Sequence, residues 1–128
     1  MTEQRHRVSS GSSFEEPYGY CRAIRVGSSV SVAGTAPIRR DGTVDPDPGD
    51  QAARCLEIIV EALARLGAGP EHVTRTRMFI TDVADSEVVG RAHGRVFGAF
   101  PPATSMVVVS ALIDPRWKVE IEADAIVD

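Results

Sequence analysis

The stretch Val119-Glu120-Ile121-Glu122-Ala123-Asp124-Ala125-Ile126-Val127 places an apolar residue at every odd position and an acidic residue at the first three even ones. Successive side chains of a β-strand point to opposite faces of its sheet. The alternation therefore predicts a strand with an apolar face turned toward a core and an acidic face turned away from it. An apolar sheet face of this kind requires a second layer to cover it.

Two further β-type stretches and one helical stretch precede this strand. Residues 104–109 form a nearly continuous apolar run, and residues 73–80 place β-branched and aromatic residues between polar ones. Between these two strands the apolar positions follow a helical spacing that Pro101-Pro102 ends. The positions on this helix face are Val89, Ala92, His93, Val96, Phe97 and Phe100.

A longer helix is predicted after Asp50, a residue type that favours the N-cap position. Gly67 is its predicted stop. Its apolar face consists of Ala52, Cys55, Leu56, Ile59, Val60 and Leu63. Residues 35–50 contain three prolines and an Asp-Gly pair, which predict a surface loop. Before the loop, β-type residues at 20–26 and 29–33 flank Gly27-Ser28, as in a tight hairpin.

The resulting order ββαβαββ predicts an α+β fold with a mixed sheet and both helices packed on one face. The sheet is expected to carry apolar residues on both faces, and the second face has no helix left to cover it, so we expect the chain to self-associate. Residues 1–16 are rich in serine and charge and predict a flexible or irregular N-terminal arm. Residues 17–128 then form a single domain, since 128 residues leave no room for a second one.

Composition narrows the classes of partner. A net charge of -4 and a pI near 5.3 argue against a nucleic-acid partner, which normally requires a clustered basic face. No membrane partner is expected, because no apolar run approaches the roughly 20 residues of a membrane span. The polar start lacks the apolar middle of a secretory signal, so we expect a cytoplasmic protein. Cys21 and Cys55 lack partners at metal spacing and are expected to pack as free thiols.

Several stretches in their order along the chain resemble signatures of the Rid family (RidA/YjgF, reactive-intermediate deaminases). The resemblance spans residues 20–127. It implies a chorismate mutase-like fold and a homotrimer with small-molecule clefts between neighbouring subunits. It also implies hydrolysis of reactive enamines and imines, such as 2-aminoacrylate, without a cofactor. The matching stretches are RAIRVG at 22–27, VAGT at 32–35, RTRMFITD at 75–82, PATS at 102–105 and VEIEA at 119–123.

The positions that match the family's cleft are less polar than in the archetype. Thr104 stands where the archetype has an arginine that holds the substrate carboxylate through two parallel hydrogen bonds. Ala33 stands in place of a serine, Gly90 in place of an asparagine and Met106 in place of a cysteine. The resemblance thus makes Thr104, Met106 and Gly90 substrate-binding candidates in a cleft without the usual charged anchor.

Two positions retain the family residue, Tyr20 and Glu120. The resemblance makes Glu120 the candidate catalytic residue, because a carboxylate beside an iminium can take a proton from water and return one to the leaving nitrogen. Tyr20 is a candidate substrate-binding residue. Arg22 lies on the same strand face as Tyr20 and could replace the missing anion-binding arginine.

Each of these residues also has a purely structural interpretation. Glu120 and Glu122 could form ion pairs with Arg75 or Arg77 across the sheet. Tyr20 could be a packing aromatic, and Arg22 a solvated or salt-bridged side chain. We expect His93 to be a hydrogen-bonded residue at the edge of the core rather than a base.

Three functional hypotheses follow. The first is a RidA-like enzyme that hydrolyses or otherwise processes a small enamine or imine at an intersubunit cleft, with neither cofactor nor metal. The second is a non-catalytic metabolite-binding or regulatory trimer. The third is a specialised biosynthetic enzyme that acts on an imine-bearing precursor.

Overall fold

Six strands form one mixed sheet, and two long helices pack on one of its faces. A computed structural model describes residues 4–128. The sheet order is β1-β2-β3-β6-β4-β5, in which only the β4–β5 pair is parallel. The strands are β1 (Arg5–Val8), β2 (Ala23–Val26), β3 (Ser29–Thr35), β4 (Val73–Ile80), β5 (Ala103–Val108) and β6 (Val119–Ile126). The helices are α1 (Glu15–Tyr18), α2 (Pro48–Arg65) and α3 (Ser86–Phe97). The predicted ββαβαββ order is confirmed, with β1 and α1 in addition.

The core lies between the sheet and the apolar faces of α2 and α3. Val119, Ile121 and Ala123 of β6 are buried there. From the helices, Leu56, Ile59 and Phe97 are almost completely buried in the same core. The periodicities of two in the strand and 3.6 in the helices therefore meet along one interface, as the sequence predicts.

The predicted N-terminal boundary of α2 shifts by a few residues. The N-cap of α2 is Asp47 rather than Asp50, since the Asp47 carboxylate accepts a hydrogen bond from the Asp50 backbone N–H at 2.9 Å. Pro48 then occupies the first turn, where its missing N–H is harmless. Gly67 does follow the helix, with a φ of 76° that favours glycine.

The N-terminal segment is more regular than its composition predicts. Residues 5–8 form β1, which pairs with β2, and residues 15–18 form α1. Val8 is the buried residue of β1, so the strand shows no alternating apolar pattern that sequence analysis could detect. Backbone pairing with the edge of β2, rather than burial, accounts for its order. Residues 1–3 of the predicted arm lie outside the described residues.

The sheet face opposite the helices is largely polar at its centre. Arg77 of β4 pairs there with Glu122 at 3.0 Å and lies 3.7 Å from Asp124, both on β6. Apolar side chains reach this face toward its ends, where Val107 is 46% exposed and Ile126 is 51% exposed.

The helices that the structure describes are too short or too polar to cross a bilayer.

Candidate functional site

A cleft of about 830 Å³ opens beside β3, where the pairing of β3 with β6 is interrupted between Val32 and Thr35. Its walls come from the segment 8–14, the loop that follows β3 and one side of α2. Tyr20, Arg22 and Glu120 also line it. Three of the residues proposed from the sequence therefore share one cavity within a single chain.

The Arg22 side chain is buried in this cleft and is only 7% exposed. Its Nη1 donates to the Gly34 carbonyl at 2.7 Å and to the Thr35 hydroxyl at 2.9 Å. The guanidinium also lies 5.8 Å from the centre of the Tyr20 ring, within the range of a cation–π interaction. Within residues 4–128 it forms no ion pair. The interpretation of Arg22 as a solvated or salt-bridged side chain is therefore wrong for this part of the chain.

An unpaired buried guanidinium is a strong attractor for an anion. Charged groups are rarely buried without a partner, because desolvation costs several kcal/mol per ion. In Arg22, Nη1 is directed to backbone and hydroxyl oxygens, while Nε and Nη2 have no protein acceptor among residues 4–128. These free donors can hold a carboxylate at two oxygens.

Glu120 provides the second charged group of the cleft. Its side chain is half-buried and makes neither a hydrogen bond nor an ion pair with any residue from 4 to 128. Burial raises the pKa of Glu120, Arg22 opposes this rise, and Glu122 adds to it. Glu122 pairs with Arg77, so the structural interpretation applies to Glu122 but not to Glu120. A carboxyl group in this environment keeps its proton to a higher pH than an exposed glutamate does, which suits it to exchange protons with a bound substrate.

Gly34 allows the Glu120 carboxylate to approach the backbone closely. A Cβ atom at position 34 would lie 2.5 Å from Glu120 Oε2, well inside van der Waals contact. No local pattern in the sequence marks Gly34 as a site residue, because its role depends on a side chain 86 positions away in the chain. The only sequence signal at this position is the VAGT stretch at 32–35, which indicates the family resemblance but assigns no role to Gly34.

Trp117 is a second cleft residue that no pattern in the sequence marks. Its indole nitrogen is buried and has no hydrogen-bond partner within residues 4–128. A buried N–H without a partner costs about 1–3 kcal/mol. The loop position of this single tryptophan gave no periodic pattern from which a site role could be predicted.

Thr104, Met106 and Gly90 form a separate group at the edge of the sheet. Thr104 and Met106 lie on β5 and face α3, and a Cβ atom at Gly90 would lie 3.8 Å from Met106 Cε. Glu120 projects from the opposite face of the sheet, because its neighbours Val119 and Ile121 face the helices. Within one chain, these three residues and the Glu120 side chain therefore lie on opposite faces of the sheet.

His93 lies beside Thr104 at the edge of the core. It is 9% exposed, and its ring centre lies 4.6 Å from that of Phe97. Its Nε2 is 2.8 Å from the Thr76 hydroxyl. Burial lowers the pKa of His93, which keeps the ring neutral at physiological pH. The prediction of a hydrogen-bonded residue at the core edge is confirmed.

Other reactive groups lie outside the cleft. Cys55 is buried, and burial raises the pKa of its thiol strongly, so it is unreactive. Cys21 is a free, partly buried thiol. A second cavity of about 530 Å³ lies beside β1, where the Arg25 guanidinium donates to the carbonyls of Gly27 and Leu66. No three His, Cys, Asp or Glu side chains within residues 4–128 converge closely enough to hold a metal ion.

Comparison with known proteins gives consistent matches over nearly the whole chain. The family model described as endoribonuclease L-PSP matches residues 12–127. An uncharacterized protein of Streptomyces coelicolor is 39% identical, with 97% of this chain and 93% of that protein covered. A RutC family protein of Pyrococcus abyssi is 32% identical over 87% of each chain.

The solved structures lead to the same family. The crystal structure of Rv2704 from Mycobacterium tuberculosis, a member of the YjgF/YER057c/UK114 family, superposes with a TM-score of 0.90. The two chains are 45% identical, and the match covers 97% of this chain and 100% of Rv2704. The sheet, the helices and these matches together show that the chain belongs to the YjgF/RidA family, whose model is described as endoribonuclease L-PSP.

Proposed function

We propose that this protein is a cytoplasmic, homotrimeric enzyme that hydrolyses a small imine or enamine at a cleft between subunits, without a cofactor. One observation carries the proposal: a carboxylate, Glu120, and a buried guanidinium, Arg22, line the same cavity, and neither forms an ion pair with any residue from 4 to 128. The guanidinium supplies a site for the substrate's anionic group. The carboxylate supplies a proton acceptor next to it.

The proposed reaction needs only water and Glu120. Arg22 binds the anionic group and places the C=N carbon of the protonated imine near Glu120. As water attacks this carbon, Glu120 accepts a proton and a carbinolamine forms. Glu120 then returns the proton to the amine nitrogen. The C–N bond breaks as the C=O bond forms, and the proton of the carbinolamine hydroxyl passes to the leaving ammonia. The products are a carbonyl compound and ammonium, and Glu120 is regenerated. An enamine first takes a proton on carbon to become the imine.

A trimer would explain how Thr104, Met106 and Gly90 reach the cleft that contains Glu120. Thr104, Met106 and Gly90 lie across the sheet from Glu120 in one chain, so we propose that a neighbouring subunit supplies them. The open sheet face and the exposed Val107 and Val108 at β5 provide surface for such an interface. We expect sedimentation equilibrium to give the mass of three 13.7 kDa chains. A monomer over the micromolar range would contradict the composite cleft.

A direct assay tests the activity. An amino-acid oxidase would generate 2-imino acids in situ, and semicarbazide would trap the imine that survives. The protein is expected to lower the yield of semicarbazone in proportion to its concentration, because hydrolysis competes with the trap. An unchanged yield for a range of imino acids would reject the enzyme. Ligands that raise the Tm and are recovered unchanged would instead support a metabolite-binding trimer.

Gly34→Ala is expected to reduce imine hydrolysis by roughly tenfold or more while the protein stays folded, since ångström-scale misplacement of a catalytic group is costly. The new Cβ meets the end of a flexible side chain, so Glu120 moves away rather than the backbone. The matched control is Gly94→Ala in α3, where a Cβ meets nothing within 4 Å. Equal rates of imine hydrolysis for Gly34→Ala and Gly94→Ala would contradict the claim that Gly34 positions Glu120 for catalysis.

A further inference from the structure

Three polar side chains form a triangle where β4, β5 and α3 meet. The Thr76 hydroxyl lies 2.8 Å from both His93 Nε2 and the Thr104 hydroxyl. The Thr104 hydroxyl is also 3.5 Å from His93 Nε2 and 3.3 Å from the Pro102 carbonyl. Thr76 is fully buried and His93 nearly so, whereas Thr104 is exposed. The triangle thus connects a buried ring to one accessible hydroxyl.

The neutral state of His93 leaves two ways to arrange the protons. If Nε2 carries the proton, it donates to Thr76, Thr76 donates to Thr104, and the Thr104 proton points to the Pro102 carbonyl at 3.3 Å, a long bond that a ligand acceptor can replace. If Nε2 is unprotonated, Thr104 donates to Thr76 and Thr76 to His93. The Thr104 oxygen then offers only lone pairs. The histidine tautomer therefore determines whether Thr104 acts as a donor or as an acceptor.

Neither arrangement places a charge at Thr104. A carboxylate here would lose its hydration and gain one neutral hydrogen bond, which does not compensate for the desolvation of a full charge. A carbonyl, hydroxyl or amide would lose much less and gain the same bond.

We propose that Thr104 binds an uncharged polar group of the substrate, and that Thr76 and His93 are positioning residues that set the direction of its hydrogen bond. This inference rests on the proposed function, in which Thr104 completes a cleft that also contains Arg22. The substrate class is then a molecule with an anionic group for Arg22 and a neutral carbonyl, hydroxyl or amide at its other end.

The test compares two probes of nearly equal size, succinamate and succinate. Both carry one carboxylate for Arg22, and they differ at the other end, which is an amide in succinamate and a second carboxylate in succinate. Calorimetry with the trimer at pH 7 is expected to show roughly tenfold tighter binding of succinamate, about one net hydrogen bond plus the avoided desolvation. Thr104→Val is expected to abolish this preference, and Thr104→Ser to retain it.

His93→Phe separates a positioning role from a merely structural one. It is expected to reduce the preference for succinamate without changing the affinity for succinate, although His93 does not touch the ligand. The ¹⁵N shifts of the His93 ring are expected to change with succinamate and not with succinate. Thr74→Val is the matched control, because it removes another threonine hydroxyl, which bonds to the Asp124 carbonyl.

Equal binding of the two probes, binding of neither, or an unchanged preference in Thr104→Val would overturn the inference. Failure of the proposed function has a different signature, because semicarbazone yield would then be unaffected while the binding preference persists. The two proposals are therefore separately falsifiable.

Discussion

Glu120→Gln is expected to slow imine hydrolysis by roughly 10²- to 10⁴-fold, the usual contribution of a positioned general base. Glutamine keeps the size and shape of the side chain, so the cleft stays intact, but an amide cannot accept a proton from the attacking water. The yield of semicarbazone in the presence of each variant measures this loss of activity directly. We expect substrate affinity to change much less than turnover, since Arg22 remains in place.

The same substitution is expected to increase stability at neutral pH. Burial raises the pKa of Glu120 above that of an exposed glutamate, so the folded state binds this proton more tightly than the unfolded state. The stability that protonated Glu120 contributes is complete below the unfolded pKa, about 4.3 for a free glutamate, and is lost as the pH rises through the folded pKa. Glutamine avoids this loss. The Tm of Glu120→Gln is expected to match wild type near pH 4 and exceed it at pH 7.

Glu122→Gln is the matched control for both measurements. Glu122 lies two residues away on the same face of β6, but it pairs with Arg77 and lies outside the cleft. We expect full activity and a change in the free energy of unfolding of about 1 kcal/mol at most, as for other exposed ion pairs. If both variants lost activity equally, general electrostatics of the sheet face would explain the result better than a catalytic role for Glu120.

Arg22→Met has the second largest expected effect, a loss of roughly 10²-fold in affinity for carboxylate ligands, within the 2–5 kcal/mol typical of a buried charge contact. Methionine replaces the length and apolar stem of arginine but supplies no donor. The Thr35 hydroxyl keeps its hydrogen bond to the Ala33 carbonyl at 2.7 Å, so only the Gly34 carbonyl loses a strong partner. Calorimetry with succinate measures the loss, and circular dichroism checks that the variant is folded.

Arg25→Met provides the control, at a position in β2 three residues further along the chain. Arg25 also donates to two backbone carbonyls, those of Gly27 and Leu66, but it faces the second cavity rather than the cleft. We expect Arg25→Met to lose about as much stability as Arg22→Met while its affinity for succinate stays unchanged. Succinate affinity that falls equally in both variants would show that the anion does not bind at Arg22.

Local patterns in the sequence predicted most of the fold, because periodicity and helix breakers act over a few residues. The alternation at 119–127 and, apart from Val60, the buried helix face from Ala52 to Leu63 appear in the structure as expected. The predicted stop at Pro101-Pro102 is wrong, because α3 already ends at Phe97 with Gly98 as its C-cap, and Phe100 is 40% exposed beyond the helix. Strand β1 was not predicted, since an edge strand stabilised by backbone pairing has no apolar alternation. The N-cap of α2 was predicted at Asp50 instead of Asp47, because two aspartates three residues apart are equally suitable by residue type.

The sequence by itself determined which face of each strand and helix is apolar, since that depends only on residue spacing. It also determined that Thr104 cannot supply the charge of an arginine. Only the tertiary structure decided which residues meet: β6 inserts between β3 and β4, and the irregular pairing at residues 32–35 brings Arg22 and Gly34 to Glu120. Strand order and bulges depend on contacts between distant segments, and no local pattern encodes them.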